Sequence, residues 1–113
     1  MTQEEQLDSL EFSMDEAKHF ISVKNSMLKL QNNRDFKKVI TEYYFKEEAA
    51  RLVMAKSSNM NADQKIMIDN MIYGIGALNN WIESVMRRGA EMDQALNDHE
   101  KTREEILAEE VAK

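Results

Sequence analysis

The sequence contains no cysteine, no proline and only three glycines among its 113 residues. Without cysteine the chain forms no disulfide, supplies no thiolate nucleophile and offers no cysteine ligand to a metal. Without proline, and with so little glycine, few positions break a helix, whereas leucine, methionine, alanine, lysine and glutamate are abundant. The composition therefore predicts an all-α chain with long helices rather than a sheet-rich fold.

Long uncharged apolar runs are also missing. No stretch reaches the roughly 18 apolar residues that a membrane-spanning helix needs, and the first residues, MTQEEQLDSLEF, are acidic, unlike a secretory signal. Hydrophobic residues make up 42% and aromatic residues 7% of the chain, enough for a modest core and against wholesale disorder. We expect a soluble, cytoplasm-made protein that makes no contact with a membrane.

The net charge of −6 is unevenly distributed. Residues 1–16 carry six acids and no base, residues 17–60 carry a net charge of +5, and residues 61–113 carry a net charge of −5. The acidic ends can pair with the basic middle, within the chain or between copies. Ordinary solvated faces are the favoured interpretation, because exposed ion pairs contribute only about 0–1 kcal/mol each.

Nucleic-acid binding is the weakest of the functional hypotheses that the charges allow. It would need a sustained basic stripe, and the overall acidity of the chain opposes it. The candidate contacts would be Arg34, Lys37, Lys38 and Lys46.

Apolar residues at helical spacing predict the first two helices. A capping box at Ser13 and Glu16 would begin a helix over about residues 14–31. Two asparagines, which favour caps and turns, separate it from a second helix over about residues 34–56. The apolar stripe of this second helix consists of Phe36, Val39, Ile40, Tyr43, Ala50 and Val53. Its adjacent aromatic residues mean that the helix is either covered on more than one side or bent near Tyr44.

The third helix has the strongest apolar pattern. Asn61 and Gln64 form a second capping-box-like start, and apolar residues recur at helical spacing over about residues 62–88. Beyond Gly89 the pattern thins into a polar extension to about residue 111. Pairs of opposite charges support that extension by about 0.2–0.5 kcal/mol each, so we expect it to protrude or to become ordered on a partner.

The expected architecture is a small antiparallel helical bundle of three main helices with a polar C-terminal helical extension, because short connections favour antiparallel neighbours. We expect an acidic N-terminal arm over residues 1–12, a helical bundle domain over residues 13–89, and a charged C-terminal helix or tail over residues 90–113.

Two of the three glycines lie in the apolar segment IYGIGAL, residues 72–78. Gly74 and Gly76 match the first two glycines of a dinucleotide-binding loop, but Asn79 stands where the third belongs and helical periodicity runs through the segment. Each glycine costs a helix about 1 kcal/mol relative to alanine. We therefore expect the helix to continue past the pair, and the pair to form a notch that a neighbouring helix or aromatic ring approaches closely.

No residue pattern predicts catalysis or a metal site. Glu16 and His19 have the Glu-x-x-His spacing of di-iron helix bundles, but the second copy that such sites need is missing. Residues 59–63 imitate the opening of a calcium-binding loop, which then lacks its glycine and its bidentate glutamate. No nucleophile–base–orienter set is visible. We expect no enzyme activity, no cofactor, no metal and no small-molecule substrate.

Two segments resemble small tailed-bacteriophage proteins that are encoded near virion structural genes: NNRDFKKVITEYYFKEEAARLV and IDNMIYGIGALNNWIESVMRRG. The resemblance covers about residues 14–110 and includes the acidic helical tail, and its motifs are not catalytic signatures. It implies a component of the phage particle or of its assembly, located in the virion or the host cytoplasm, with itself or other virion proteins as partners.

The leading hypothesis is a non-enzymatic structural or virion-assembly protein that acts through helix-mediated self-association and protein–protein contacts. The nine methionines fit either core filling or an adaptable partner-binding surface. The alternative is a small acidic helical regulator that binds and inhibits a host or phage enzyme. The residues expected in core or assembly contacts are Phe20, Met27, Phe36, Tyr43, Met71, Gly74, Leu78 and Trp81.

Overall fold

A computed structural model describes residues 2–112, and over that range the chain is helical, with three helices and no strand. Helix α1 spans Gln3–Asn32, α2 spans residues 34–56, and α3 spans Ala62–Ala112. The prediction of an all-α chain is confirmed. None of these helices combines the length and the hydrophobicity that a bilayer crossing needs, within the residues described.

Helix α1 begins well before the predicted start. The Thr2 hydroxyl accepts a hydrogen bond from the Glu5 N–H at 3.1 Å, and the Glu5 carboxylate accepts one from the Thr2 N–H at 3.3 Å. This is a capping box. Ser13 and Glu16 therefore lie inside the helix, and the predicted start there is wrong. The upstream box is used because the apolar spacing extends back through residues such as Leu10, which is half-buried.

Helices α2 and α3 begin where the sequence predicts. The Asn33 side-chain oxygen accepts hydrogen bonds from the N–H groups of Asp35 at 2.9 Å and Phe36 at 3.0 Å. The Asn61 side-chain oxygen accepts from the Gln64 N–H at 2.8 Å, and the Gln64 side-chain oxygen accepts from the Asn61 N–H at 3.1 Å. Both caps satisfy backbone donors that a helix start otherwise leaves unpaired.

The middle of α2 is a π-helix over Lys37–Glu48, between α-helical segments at Arg34–Phe36 and Ala49–Lys56. In a π-helix each N–H bonds to the carbonyl five residues earlier, so the turn is wider than in an α-helix. Val39 and Tyr43 are consequently 55% and 51% exposed, whereas Tyr44 and Phe45 are half-buried. The predicted stripe of α2 is therefore wrong at Val39 and Tyr43, whereas Phe36 and Ile40 of the same stripe are half-buried.

The described chain divides into two compact units. One comprises the residues up to Ser26 together with those from Val85 onward, and we call it the end unit. The other comprises Met27–Ser84, and we call it the middle unit. The predicted domain boundaries after residues 12 and 89 fall inside α1 and α3, where the helices continue without a break.

In the end unit the first part of α1 packs against the last part of α3. The Gln3 side-chain amide donates to the Ile106 carbonyl at 3.1 Å, and Lys24 forms an ion pair with Asp93. Since the start of α1 meets the end of α3, the two segments run in opposite directions in this unit. The C-terminal segment, expected to protrude or to await a partner, is helical and contacts the chain's own first helix.

The end unit joins segments of like charge. It contains fourteen acids and seven bases, a net charge of −7, whereas the middle unit has a net charge of +1. Pairing of the acidic ends with the basic middle is therefore not what orders the ends, which pack on each other. Burial of Met14 and Ala17, at 3% and 1% exposure, favours this packing against the repulsion.

In the middle unit α2 and α3 are joined by a short loop over residues 57–61. The Lys56 ammonium lies 2.7 Å from the Asp69 carboxylate and holds the two helices together beside that loop. The buried apolar residues of this unit are Met27, Leu52, Ile75 and Ile82. Met27 lies on α1, Leu52 on α2, and Ile75 and Ile82 on α3, so all three helices contribute to this small core.

A close helix–helix approach occurs at Gly89, which is buried within α3. A Cβ at this position would lie less than 3.0 Å from side-chain carbons of Lys24. A Cβ at Gly76 would meet nothing within 4 Å, and one at Gly74 would meet only the Tyr44 hydroxyl, at 4.0 Å. The helix continues past the paired glycines as predicted, but within the chain the close approach lies at Gly89 instead.

Replacing Gly89 with alanine should destabilise the protein, although alanine is the better helix former. The new methyl group would collide with Lys24 carbons next to the backbone, and overpacking of this kind costs about 1–3 kcal/mol. Gly76→Ala is the matched control, since open space at Gly76 leaves only the gain in helix propensity, about 0.5–1 kcal/mol. Urea unfolding followed by circular dichroism measures both variants. Shifts of the same sign would contradict this account of Gly89.

Raising the salt concentration should protect the end unit from hydrogen exchange more than the middle unit. Screening weakens the repulsion within a unit of net charge −7 but has little to act on in a unit of net charge +1. The measurement is peptide-resolved exchange at about 50 mM and about 500 mM sodium chloride, which changes the Debye length several-fold. Loss of protection in the end unit at high salt would mean that ion pairs such as Lys24–Asp93 dominate instead.

Candidate functional site

The described side chains do not assemble a metal-binding cluster. Within residues 2–112 no group of three histidine, aspartate or glutamate side chains could hold a metal ion, and no polar side chain is fully buried. Glu16 and His19 are exposed on α1. The side chain of Asn61 caps α3, so the imitation of a calcium loop around it has a structural explanation.

One carboxylate has a displaced pKa for a local reason. The Arg51 guanidinium donates to the Glu48 carboxylate at 2.5 and 3.0 Å, and this hydrogen bonding lowers the pKa of Glu48 below its usual value. The two residues are three positions apart on α2, a spacing at which opposite charges support a helix. A carboxylate held ionised in this way has no proton to donate near neutral pH.

The first half of α3 presents an apolar seam to solvent. Met67, Met71, Gly74, Leu78 and Trp81 recur at alternating intervals of four and three residues, the spacing at which a helix packs along a partner helix. We call these five residues the outer seam. Met67, Met71 and Trp81 are 64%, 44% and 55% exposed, and Gly74 and Leu78 are half-buried.

A second seam with the same spacing lies beside the first and faces the protein interior. It runs through Ile68, Ile72, Ile75 and Ile82, of which Ile75 and Ile82 are 6% and 4% exposed. Helix α3 therefore carries two parallel apolar seams. The described chain buries residues of the inner seam and leaves most of the outer one open.

No charged residue occurs between residues 70 and 82, on any side of the helix. A helix exposed to solvent on one side normally carries charges there, whereas a helix that is apolar on several sides is usually covered on several sides. The polar groups in this segment are the side-chain amides of Asn70, Asn79 and Asn80, and the Tyr73 hydroxyl. Amides both donate and accept hydrogen bonds, so they can pair with copies of themselves.

The residues expected in core or assembly contacts do not form one cluster. Four of them, Met71, Gly74, Leu78 and Trp81, lie together on the outer seam. The other four lie on the first two helices: Phe20 and Phe36 are half-buried, Met27 is 8% exposed and Tyr43 is 51% exposed. The Phe20 ring receives the Arg88 guanidinium 5.2 Å from its centre, a cation–π contact inside the end unit.

Helix α2 bears an open groove of about 760 Å³ along its π-helical side. The sequence analysis named the basic residues of this region as candidate contacts. It did not predict that Val39 and Tyr43 would be part of an exposed groove, because both were expected to face the core. The residues that line this α2 groove are Asn32, Arg34, Lys37, Lys38, Val39, Glu42, Tyr43 and Glu47.

The sequence patterns did not single out two further residues, Gly89 and Phe12. Gly89 looked like the end of a helix because the apolar pattern thins after it, and only the position of Lys24 reveals its role. Phe12 is 72% exposed and lies among carboxylates on α1. Helical spacing could have shown that its neighbours three and four residues away include Asp8, Asp15 and Glu16.

No protein-family model, no curated protein and no solved structure matches this chain.

Proposed function

We infer that this chain is a non-enzymatic structural or assembly protein of a tailed-phage particle, and that it self-associates through the outer seam of α3. The observation that carries the self-association is the uncharged, solvent-exposed apolar seam from Met67 to Trp81. Contiguous exposed apolar surface of this kind marks protein–protein interaction sites.

A second copy of the same chain is the partner that best suits the outer seam. The spacing of the seam is that of paired helices, so two copies can lay their seams side by side. The middle unit has a net charge of only +1, so two such units approach with little repulsion. The Asn70 side chain, four residues before Gly74 and on the same side of the helix, supplies a polar contact that is its own complement.

Gly74 gives the seam a gap that the chain itself does not fill. A Cβ there would make only an ordinary contact, with the Tyr44 hydroxyl at 4.0 Å. A glycine inside a helix costs about 1 kcal/mol relative to alanine, and nothing in the described fold requires it at this position. A neighbouring helix from a second copy would use the gap to come close to the α3 backbone.

The finer architecture belongs to the same proposal. Lys56 and Asp69 hold α2 beside the start of α3, and we take the three helices to form a small antiparallel bundle that a second copy extends. The phage assignment rests on the resemblance of the segments around residues 32–53 and 68–89 to small tailed-phage proteins. The location in the virion or the host cytoplasm rests on that resemblance too.

Gly74→Leu should weaken self-association while the isolated chain stays folded. The leucine side chain would occupy the gap that the partner helix needs, whereas the gain in helix propensity, up to about 1 kcal/mol, favours α3 itself. Gly76→Leu is the matched control, because Gly76 lies off the seam and is exposed. Sedimentation velocity gives the association state and circular dichroism the fold. Equal association by both variants would remove Gly74 from the interface.

Trp81→Ala should raise the dissociation constant of the self-complex at least about tenfold, since tryptophans at interface centres commonly contribute 2 kcal/mol or more. Tyr73→Ala removes another exposed aromatic side chain, which lies on a different side of α3 and is 78% exposed. It should leave the dissociation constant unchanged. A strictly monomeric wild-type protein at all concentrations would end the proposal.

The place of this protein in a particle is tested separately, by mass spectrometry of purified virions from the phage that encodes it. A structural protein should be present at a fixed number of copies per particle, and an assembly protein should be found in precursor particles. Absence from both would leave self-association without a role in the virion.

The alternative function, a regulator that binds and inhibits a host or phage enzyme, is favoured by one observation. The end unit has a net charge of −7 and could cover a basic surface. An inhibitor should capture one enzyme stoichiometrically from host lysate and should suppress its activity. An assembly protein should capture copies of itself or other virion proteins.

A further inference from the structure

An aromatic side chain ringed by carboxylates projects from α1. Phe12 is 72% exposed, on the side of the helix away from the buried Met14 and Ala17. Asp8 lies four residues before it and Asp15 and Glu16 lie three and four residues after it, so all three border the ring on the helix surface. All three are exposed. We call Asp8, Phe12, Asp15 and Glu16 the acidic knob.

The α2 groove has the opposite arrangement. Arg34, Lys37 and Lys38 come first along the helix, Val39 and Tyr43 form an apolar middle with Glu42 between them in sequence, and Glu47 follows. Val39 and Tyr43 are 55% and 51% exposed, so the apolar middle is open to solvent.

The charged groups of both surfaces are free to pair with a partner. None of the three bases of the groove forms an ion pair with another residue in the range 2–112, and the same holds for the carboxylates of the knob. The knob has three carboxylates and no base, and the groove lining has three bases against two carboxylates, so the net charges around the two apolar centres are opposite in sign.

We propose that the acidic knob of one copy docks into the α2 groove of a second copy. Phe12 packs against Val39 and Tyr43, and the knob carboxylates pair with Lys37 and Lys38. The contact rests on the proposed self-association but deepens it, because it uses surfaces other than the outer seam. Because its three bases are set against Glu42 and Glu47, the groove lining has a net charge of only +1, which disfavours the continuous phosphate backbone of a nucleic acid. A short acidic helix with an aromatic centre needs only the local pairing with Lys37 and Lys38 and the apolar contact beside them.

This contact joins two different surfaces, so each copy offers one knob and one groove. Contacts of this type continue from copy to copy and produce rings or filaments, whereas paired seams close into a dimer. The two contacts also differ in their response to salt. Screening weakens the knob–groove contact, while burial of the outer seam does not depend on opposite charges.

The experiment exchanges the charges of the two surfaces. In Lys37→Glu/Lys38→Glu the groove becomes acidic, and in Asp15→Lys/Glu16→Lys the knob becomes basic. Each protein alone should lose its assemblies larger than the seam dimer in sedimentation velocity at about 50 mM salt, where charge interactions are screened least. A one-to-one mixture should recover them, because each variant then meets an opposite charge on the other. Circular dichroism confirms that both variants are helical.

Phe12→Ala tests the apolar centre, with Val111→Ala as a control at another exposed position of the end unit, 87% exposed. The first should lose the larger assemblies and the second should keep them. Wild-type assemblies should also weaken by about tenfold or more between low and high salt.

The proposal is overturned if either charge variant alone still forms the same large assemblies as the wild type, or if mixing the two variants does not restore those assemblies. It is also overturned if the groove binds a DNA oligonucleotide through Lys37 and Lys38 and the protein does not self-associate. The test is independent of the outer seam. If Trp81→Ala leaves association unchanged while the charge-swapped mixture recovers its assemblies, the outer seam is removed and the knob–groove contact stands. If Trp81→Ala abolishes dimers while the mixture fails to recover, the seam stands and the knob–groove contact is removed.

Discussion

The stretch without a charged residue between positions 70 and 82 is the constraint from which the behaviour of this chain follows. Helix α3 has apolar surface on two sides there, and within residues 2–112 the other helices that can cover it are α1 and α2. Ile75 and Ile82 are buried, while Met67, Met71 and Trp81 are left about half in solvent or more. A large apolar side chain gains about 1.5–3 kcal/mol when it is fully buried. A seam contributed by two copies can therefore offset a substantial part of the freedom lost on association.

Charge is distributed so that it does not oppose this association. The acids are concentrated in the end unit, which packs despite its net charge of −7, and the middle unit that bears the outer seam is close to neutral. Concentrated charge at one part of the chain and uncharged apolar surface at another allow two kinds of contact in one small protein. The proposed seam contact would be driven by burial and would not weaken with salt, whereas the proposed knob–groove contact would be driven by opposite charges and weakened by salt.

What could be read from the sequence was local. The caps at Asn33 and Asn61 depend on side chains two or three residues away, and both helix starts were predicted. The start of α1 was missed because two capping boxes fit the same helix, and the choice between them depends on packing. The π-helix at Lys37–Glu48 has no signal in apolar spacing, since that spacing is interpreted by assuming an α-helix.

Most residues of the outer seam were predicted to lie on one stripe, but the exposure of that stripe to solvent was not predicted. Spacing placed Met71, Gly74, Leu78 and Trp81 on one stripe, but both stripes of α3 have the same spacing. Which of them faces inward depends on where the other helices lie. The sequence therefore predicted apolar stripes without distinguishing the stripe that faces the core from the stripe that faces solvent.

The three glycines of α3 have different surroundings within the chain. Gly89 meets Lys24, a residue far away in sequence, and its lack of a side chain serves the fold. Gly76 faces open space and serves neither fold nor seam. Gly74 lies on the outer seam with room for a Cβ, so its lack of a side chain is not explained by the chain's own packing. A glycine lowers helix stability by a similar amount at each of the three positions. The effect of replacing it therefore depends on which atoms lie next to it. In the proposed self-complex, a helix of the second copy would pack against Gly74. The glycine would then weaken the isolated α3 helix but permit the partner helix to approach closely.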